Sequence, residues 1–480
     1  NNLDISFEDR LKLSEEFENN TNGKCLKSLR ALAKMILLGT NSESGTNIAQ
    51  DQLKIILNSN DSLTKLNLLK ELTLNNHERF SLWKYLKNVC EKLNRIEDLY
   101  STFETVLFNK SESDTYKLPE IGSKLILVYA KEVWKNEGNI EKSIGIIDKG
   151  LSVSPDNIDI VIAKLKLLCQ SASFDEVEIL FKEKILSKLQ EPDSFKTKTG
   201  MERLCYKYIS FLRYQKENQK AIELLNTKFI PWFPNCFKLY LQVSQIYCDI
   251  NDFNNAKQIL EKGTELFQDK QNSHNALLWI ELAKIEEIAM GKPVRARATL
   301  DIALLKNTGN ISSEILIQIA KINLEERAGN KEQVRLFVAE GLRNHPRNEL
   351  FWVKNISLLD TKRSSQKKTM FQDALRNTKN NYLVILEIGK TFYRDSQYAS
   401  ALKWVERATK VSASYGDSWI WKYRCEMKIK KDTQGTVNAV ISNEPVYGPE
   451  WISVSKNPKS QYLSSEQILQ ILVQSKPLSN

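Results

Sequence analysis

Leu278-Trp-Ile-Glu-Leu-Ala-Lys-Ile-Glu-Glu-Ile-Ala289, followed by Met290-Gly-Lys-Pro293 and then by Ala296-Arg-Ala-Thr-Leu-Asp-Ile-Ala-Leu-Leu-Lys306, decides how the rest of the chain is read. In the first stretch apolar residues recur every three or four positions, as one face of an amphipathic helix requires. Gly291 suits the left-handed residue that closes a helix, and Pro293 suits the first turn of the next. The second stretch resumes the helical pattern. It places the small Ala296 17 residues after Trp279, where a small side chain lets two antiparallel helices approach closely.

Working outward, the same unit recurs. Ten positions open comparable apolar runs: Trp83, Leu127, Ile160, Leu204, Tyr240, Trp279, Leu316, Trp352, Val384 and Trp419, at spacings of 32 to 44 residues that average about 37. Polar turns follow many of them, at Asn136-Glu-Gly-Asn139, Asn251-Asp252, Ala328-Gly-Asn330 and Asp395-Ser396. Ala221, Ala256 and Ala401 fall near the place of Ala296, and Pro155, Pro346 and Pro445 stand beyond second helices, where a proline ends the ladder. One helix pair of this size cannot bury its apolar face alone, whereas stacked pairs build a continuous core. The reading is an all-α fold, a right-handed α-solenoid of helix-turn-helix repeats running over residues 81–456.

Residues 1–80 are less regular. Helices are expected around Leu3–Phe17, Lys24–Leu38, Ile48–Asn58 and Ser62–Leu74, as degenerate repeats. The stretches 109–114 and 190–200 read as exposed insertions, the kind of place where a binding loop sits. Residues 457–480 form a C-terminal segment whose apolar Gln467-Ile-Leu-Gln-Ile-Leu-Val473 is suited to cap the array or to dock elsewhere. The chain opens Asn1-Asn2 without methionine and is expected to be a piece of a longer protein.

Composition narrows the function classes. Glycine and proline together number 28 of 480 residues, about 6%, half of ordinary usage, which disfavours many-stranded folds and Gly-rich nucleotide enzymes. The net charge of +10 is mild for this length and fits work beside RNA or an acidic partner without marking a dedicated nucleic-acid binder. Seven cysteines without a C-x-x-C pair read as reduced thiols, and no apolar run is long enough for a bilayer. Only three histidines occur (His77, His274, His345), and no phosphate-cradling loop, dinucleotide fingerprint, zinc-protease motif or nucleophile elbow is present. Neighbouring acids such as Glu286-Glu287 and Glu325-Glu326 do not face each other on a helix and read as a solvated face. No enzyme, cofactor, metal or small-molecule substrate is expected.

Two residue sets stand out. The aromatic anchors Trp83, Tyr240, Trp279, Trp352 and Trp419 recur at one place in the repeat and read as core packing between helices. Lys362, Arg363, Lys367 and Lys368 cluster in a polar inter-helix turn. That cluster reads either as a solvated loop or as a place to hold phosphate or an acidic partner.

A Trp-anchored two-helix unit of this length resembles the half-a-TPR (HAT) repeat, which is similar to the tetratricopeptide (TPR) repeat and is found mostly in RNA-processing complexes. The stretches Ala296–Asn310, Ile385–Tyr393, Gly416-Asp-Ser-Trp419 and Glu444-Pro-Val-Tyr-Gly-Pro-Glu-Trp-Ile-Ser-Val-Ser-Lys456 resemble the end of the pre-mRNA-splicing factor 6 family. That family closes its repeats with E-P-x-H-G-E-x-W-x-x-V-S-K. Glu444, Pro445, Gly448, Trp451, Val454, Ser455 and Lys456 match it, while Tyr447 stands for the family histidine and Pro449 for its glutamate. The resemblance implies a non-catalytic nuclear scaffold of the U4/U6.U5 tri-snRNP. Its implied partners are U5 and U4/U6 snRNP proteins, including the large U5 scaffold protein, with RNA contact secondary and no membrane. The same repeats would also serve a scaffold of another RNA-processing complex: a different splicing factor, a 3′-end cleavage subunit or a ribosome-biogenesis factor.

Overall fold

The computed structural model describes residues 62–108, 120–185, 200–267, 274–359 and 364–474. The expected helices before residue 62, the insertions at 109–114 and 190–199, and Lys362 and Arg363 lie outside these residues. The chain divides into two compact units, Asn1–Lys164 and Leu165–Asn480.

In the first unit, α1 (Ser62–Asn75) precedes two antiparallel pairs, α2 (Phe80–Lys92) with α3 (Ile96–Leu107), and α4 (Glu120–Glu137) with α5 (Ile140–Val153). Trp83, Phe103 and Tyr129 stack in series, with ring centroids 4.2 and 5.1 Å apart, and bind the two pairs through one aromatic column. The next helix, α6 (Ile158–Gln170), carries the chain into the second unit.

There α6 is followed by α7 (Phe174–Lys184). Next come α8 (Met201–Tyr214) and α9 (Asn218–Leu224), the latter continuing through a π-turn at Leu225–Phe229. Then α10 (Phe237–Asp249) pairs with α11 (Phe253–Leu266). α12 (His274–Lys284), lengthened by a π-turn at Ile285–Ala289, pairs with α13 (Pro293–Lys306). α14 (Ile311–Arg327) follows with α15 (Lys331–Asn344), and α16 (Glu349–Ser357) with α17 (Ser364–Asn377). The last pairs are α18 (Tyr382–Arg394) with α19 (Tyr398–Val411) and α20 (Gly416–Lys428) with α21 (Gln434–Asn443). Two short closing helices remain, α22 (Pro449–Ser455) and α23 (Ser465–Gln474). Within each unit this is an α-solenoid architecture: helix pairs stacked in chain order, each apolar face covered by the next. Among the described residues no helix is long and apolar enough to cross a membrane.

One left-handed residue makes the sharp turn inside most pairs. Gly138, Gly291 and Gly329 fill it, with φ of 66°, 64° and 78°, as do Asn94 and Asn251. Ala172, Lys216, Ser396 and Lys430 also occupy it, at φ between 56° and 64°. An L side chain there costs about 1–2 kcal/mol. The chain accepts that cost several times over, which is how so many turns are made with so few glycines.

Close packing of the pairs follows from the small residues. Ala221, Ala256, Ala296 and Ala401 are fully buried. Seven residues after three of these, Gly263, Ala303 and Ala408 keep the same helix face narrow. Gly341 shows the limit: a Cβ there would stand 2.3 Å from the ring of Phe351 on the following helix.

Candidate functional site

The aromatic anchors occupy equivalent places on the first helices. Trp83, Tyr240 and Trp419 are buried, while Trp279 and Trp352 are half-buried. Three of the indoles make the same bond. Trp83 Nε1 donates to the His77 carbonyl at 2.9 Å, Trp352 Nε1 to Pro346 at 2.8 Å, and Trp419 Nε1 to Ala413 at 2.8 Å, each acceptor six residues upstream. The indole thus packs between helices and also fixes the loop by which the chain enters its repeat, a use that a phenylalanine cannot supply. For Trp279 the equivalent position, 273, lies outside the described residues.

A second regularity joins successive pairs. Lys257 Nζ meets Glu286 Oε1 at 3.0 Å, Arg297 Nε meets Glu325 Oε1 at 2.6 Å, and Lys367 Nζ meets Asp395 Oδ2 at 2.6 Å. Each cation lies near the start of a second helix, and each acid at the end of the next repeat's first helix, 28 or 29 residues on. Lys367 therefore differs from its expected place in a solvated basic turn. It is 8% exposed and its charge is taken up inside the fold. Lys368 beside it is exposed.

The C-terminal signature is built differently. Glu444 ends α21 with φ of 44°, which turns the chain back so that Val446 N and Tyr447 N reach the Ser414 carbonyl at 2.9 and 3.2 Å. Gly416 N returns a bond to the Tyr447 carbonyl at 2.7 Å. Gly448 then passes directly over Asp417; its φ is 118°, and a Cβ there would lie 2.3 Å from Asp417 Oδ1. Pro449 opens α22 at its first position, where no amide hydrogen is needed. Asp417 accepts Trp451 N at 2.9 Å and Glu450 N at 3.3 Å, which satisfies two free amides at the start of that helix. Trp451 is 1% exposed and lies flat on Gly416, where a Cβ would stand 2.4 Å from its ring.

Glu450 completes the arrangement. Its carboxylate accepts Trp421 Nε1 at 3.1 Å and Arg424 NH1 at 2.8 Å, while Arg424 NH2 donates to the Leu472 carbonyl on α23 at 2.9 Å. Ile468, Leu469 and Leu472 of α23 join Trp419, Val440 and Trp451 in one apolar cluster, with Val454 packed against it. Tyr447, in place of the family histidine, contributes backbone only; its side chain is 60% exposed. Burial raises the Asp417 carboxyl to about 6, against the opposing pull of the Trp451 amide. Thus Gly416-Asp-Ser-Trp419 and Glu444–Lys456, two segments some 30 residues apart that both carried the family resemblance, are in contact through Asp417.

The family description "PRP6, TPR-like domain" matches residues 38–473. The chain belongs to this family. Over 399 residues it is 41% identical to pre-mRNA-splicing factor 6 of Saccharomyces cerevisiae, covering 82% of this chain and 43% of that protein. It is 28% identical over 243 residues to pre-mRNA-splicing factor prp1 of Schizosaccharomyces pombe, covering 50% and 25% respectively. The chain thus spans less than half the length of the curated relatives it matches. Among solved structures, the APC/C Cut9–Hcn1 hetero-tetramer aligns over 98% of this chain at 13% identity and a TM-score of 0.29.

In this PRP6 TPR-like chain, sequence reasoning missed Asp417, Trp421, Glu450 and Arg424. No periodicity marks them, and the one available signal was the resemblance of both flanking segments to the same family end. Burial raises the thiols of Cys90 and Cys169 to about 11 and that of Cys425 to about 12, so none is poised as a nucleophile near neutral pH. Among the described residues no three His, Cys, Asp or Glu side chains converge as a metal site.

Proposed function

We propose that this chain is the repeat region of a non-catalytic nuclear scaffold in pre-mRNA splicing, one that holds U5 and U4/U6 snRNP proteins together during tri-snRNP assembly. The observation that carries this reading is the 41% identity across 82% of the chain to a splicing factor, reinforced by a C-terminal signature of which Glu444, Gly448, Trp451 and Val454 are tied into one closing module. The mechanism is geometric. Stacked helix pairs present long faces to partners, and large faces hold partners at fixed separation without chemistry.

The large U5 scaffold protein is one expected partner, and the U4/U6 proteins are the others. The test is precipitation of the tagged full-length protein from nuclear extract, with the bound small nuclear RNAs identified by primer extension. Recovery of U4, U5 and U6 together is expected. Recovery of none of the three, in extract where a known tri-snRNP protein recovers them, contradicts the proposal.

A further inference from the structure

The solvent-facing side of α13 differs from that of its neighbours in the array. Aligned on the small residues Gly263, Ala303, Gly341 and Ala408, the second helices α11, α13, α15 and α19 each turn four equivalent positions to solvent. On α11 these are Asn254, Gln258, Lys262 and Glu265. On α15 they are Glu332, Leu336, Glu340 and Arg343, and on α19 Ala399, Lys403, Arg407 and Lys410. On α13 they are Val294, Ala298, Ile302 and Leu305. At about 100° per residue these four lie within about 80° of one another and make one ridge along the helix. Val294 is 76% exposed, Ile302 46% and Leu305 78%. Single exposed aliphatic residues are ordinary, whereas an unbroken ridge at places where the sister helices carry charges marks a binding surface.

The rim of the ridge is basic. Arg295 stands along it with its side chain 55% exposed, its Nε 3.0 Å from the buried carboxylate of Glu286. Lys306, one turn beyond Ile302, is exposed. Over Pro293–Lys306 three cations, Arg295, Arg297 and Lys306, are set against one acid, Asp301. That acid is taken up by Lys321 of α14 at 2.6 Å.

We propose that this ridge docks an acidic amphipathic helix of a partner protein. Aliphatic side chains of the partner, recurring every three or four residues, pack against Val294, Ala298, Ile302 and Leu305, and its flanking carboxylates lie beside Arg295 and Lys306. A ridge of helical pitch fits the groove of another helix. The small Ala298 at its middle lets that helix approach, and the span from Val294 to Leu305, about 17 Å, matches about three of its turns. The basic rim selects an acidic partner. A second copy of this chain fits less well, because two such ridges bring Arg295 and Lys306 against cations like themselves. RNA fits less well too, since the ridge offers bases no ring on which to stack. This inference deepens the scaffold reading and rests on it for the partner being a protein of the same assembly.

The test places the photo-crosslinking residue p-benzoylphenylalanine at Leu305 of the tagged full-length protein in nuclear extract, with the same replacement at Glu265, the equivalent position on α11, as control. Irradiation at Leu305 is expected to attach one protein, through a segment with apolar residues at helical spacing and more Asp and Glu than Lys and Arg; the control is expected to give several-fold less product. That segment, made as a fluorescein-labelled peptide, should bind the 480-residue chain in an anisotropy titration. Val294→Ser combined with Leu305→Ser should weaken it about tenfold and Lys306→Glu about threefold, with helix content unchanged by circular dichroism. The proposal is overturned by no more crosslinking at Leu305 than at Glu265, by a crosslink between two copies of this chain, by attachment to RNA, by a basic partner segment, or by a peptide that the double variant binds as tightly. Small nuclear RNA recovery decides the scaffold reading separately: the expected crosslink without those RNAs keeps the docking surface and removes the scaffold, and the RNAs without the crosslink do the reverse.

Discussion

The regular repeats and the closing module of the second unit solve the same packing problem in opposite ways. Between Phe237 and Val411 the pairs draw on contacts that recur with the period: a small residue on the second helix, an indole or tyrosine on the first at Tyr240, Trp279 and Trp352, and an ion pair 28 or 29 residues long at Lys257, Arg297 and Lys367. On the narrow face the requirement is only a small side chain, met by Ala303, Gly341, Ala374 and Ala408. From Gly416 to Gln474 the contacts do not recur. Gly448, Asp417, Trp451, Glu450 and Arg424 depend on one another, and each is defined by the backbone atom or ring it must meet. Periodic contacts permit sequence drift, whereas a closing module built from single-use contacts demands particular residues. This difference is why the closing segment reads as a signature of named residues, whereas the repeats read as a spacing.

Substitution of the two kinds of tryptophan gives the largest expected effect. Trp451→Ala removes a ring that is 1% exposed and should cost about 3–5 kcal/mol, read as the loss in urea unfolding free energy of the transition that contains α20–α23. Trp352→Ala, at a half-buried anchor, should cost less than half of that. Equal costs would remove the distinction between closing module and repeat.

Next in size is Gly341→Ala. The new methyl falls 2.3 Å from the Phe351 ring, so the gain in helix propensity is outweighed and a net loss of about 1–3 kcal/mol is expected in the same unfolding assay. Pairing the change with Phe351→Leu should recover much of it.

Asp417 supplies a pH signature that the repeats lack. Burial raises its folded pKa to about 6, above the ordinary aspartate value of about 3.9, so the folded state holds the proton more tightly than the unfolded state. The stability tied to this group is therefore full below about pH 4, falls as pH rises towards 6, and is level above that. The total is on the order of 3 kcal/mol. Asp417→Asn should flatten the unfolding free energy of the closing module between pH 4 and 6. An unchanged slope would show that the carboxyl is not held as described.

The smallest effect concerns the turns. Lys216, with φ of 64°, spends conformational energy that glycine would not. Lys216→Gly should leave stability unchanged or raise it by up to about 1 kcal/mol, as thermal denaturation would register.

Much of this was legible in the amino-acid sequence. The 3.6-residue periodicity and the anchors from Trp83 to Trp419 locate the helix pairs, because a packed apolar face must repeat wherever the packing repeats. The turns at Gly138, Gly291 and Gly329 were visible for the same reason. Those at Ala172, Lys216 and Lys430 were not, since nothing in the side chain announces a left-handed backbone that tertiary packing enforces. Lys367 was read with its sequence neighbours, yet its partner is Asp395; only the shared spacing with Arg297 and Glu325 hinted at that. The Tyr462 ring, which meets that of Tyr214 edge-on, leaves no periodic trace at all, and Asp417 is one acid among 59 acidic residues until Gly448 is seen above it.

Hydrogen exchange read by mass spectrometry on the full chain tests the central claim, that Asp417 holds the family signature against the last repeat. In the wild-type chain the peptides covering 445–456 are expected to be protected as strongly as those of α18 and α19. In Asp417→Ala they should exchange at least tenfold faster, together with α23, while residues 237–411 keep their protection. Rapid exchange of 445–456 in the wild-type chain, or no local change in the variant, would contradict the account.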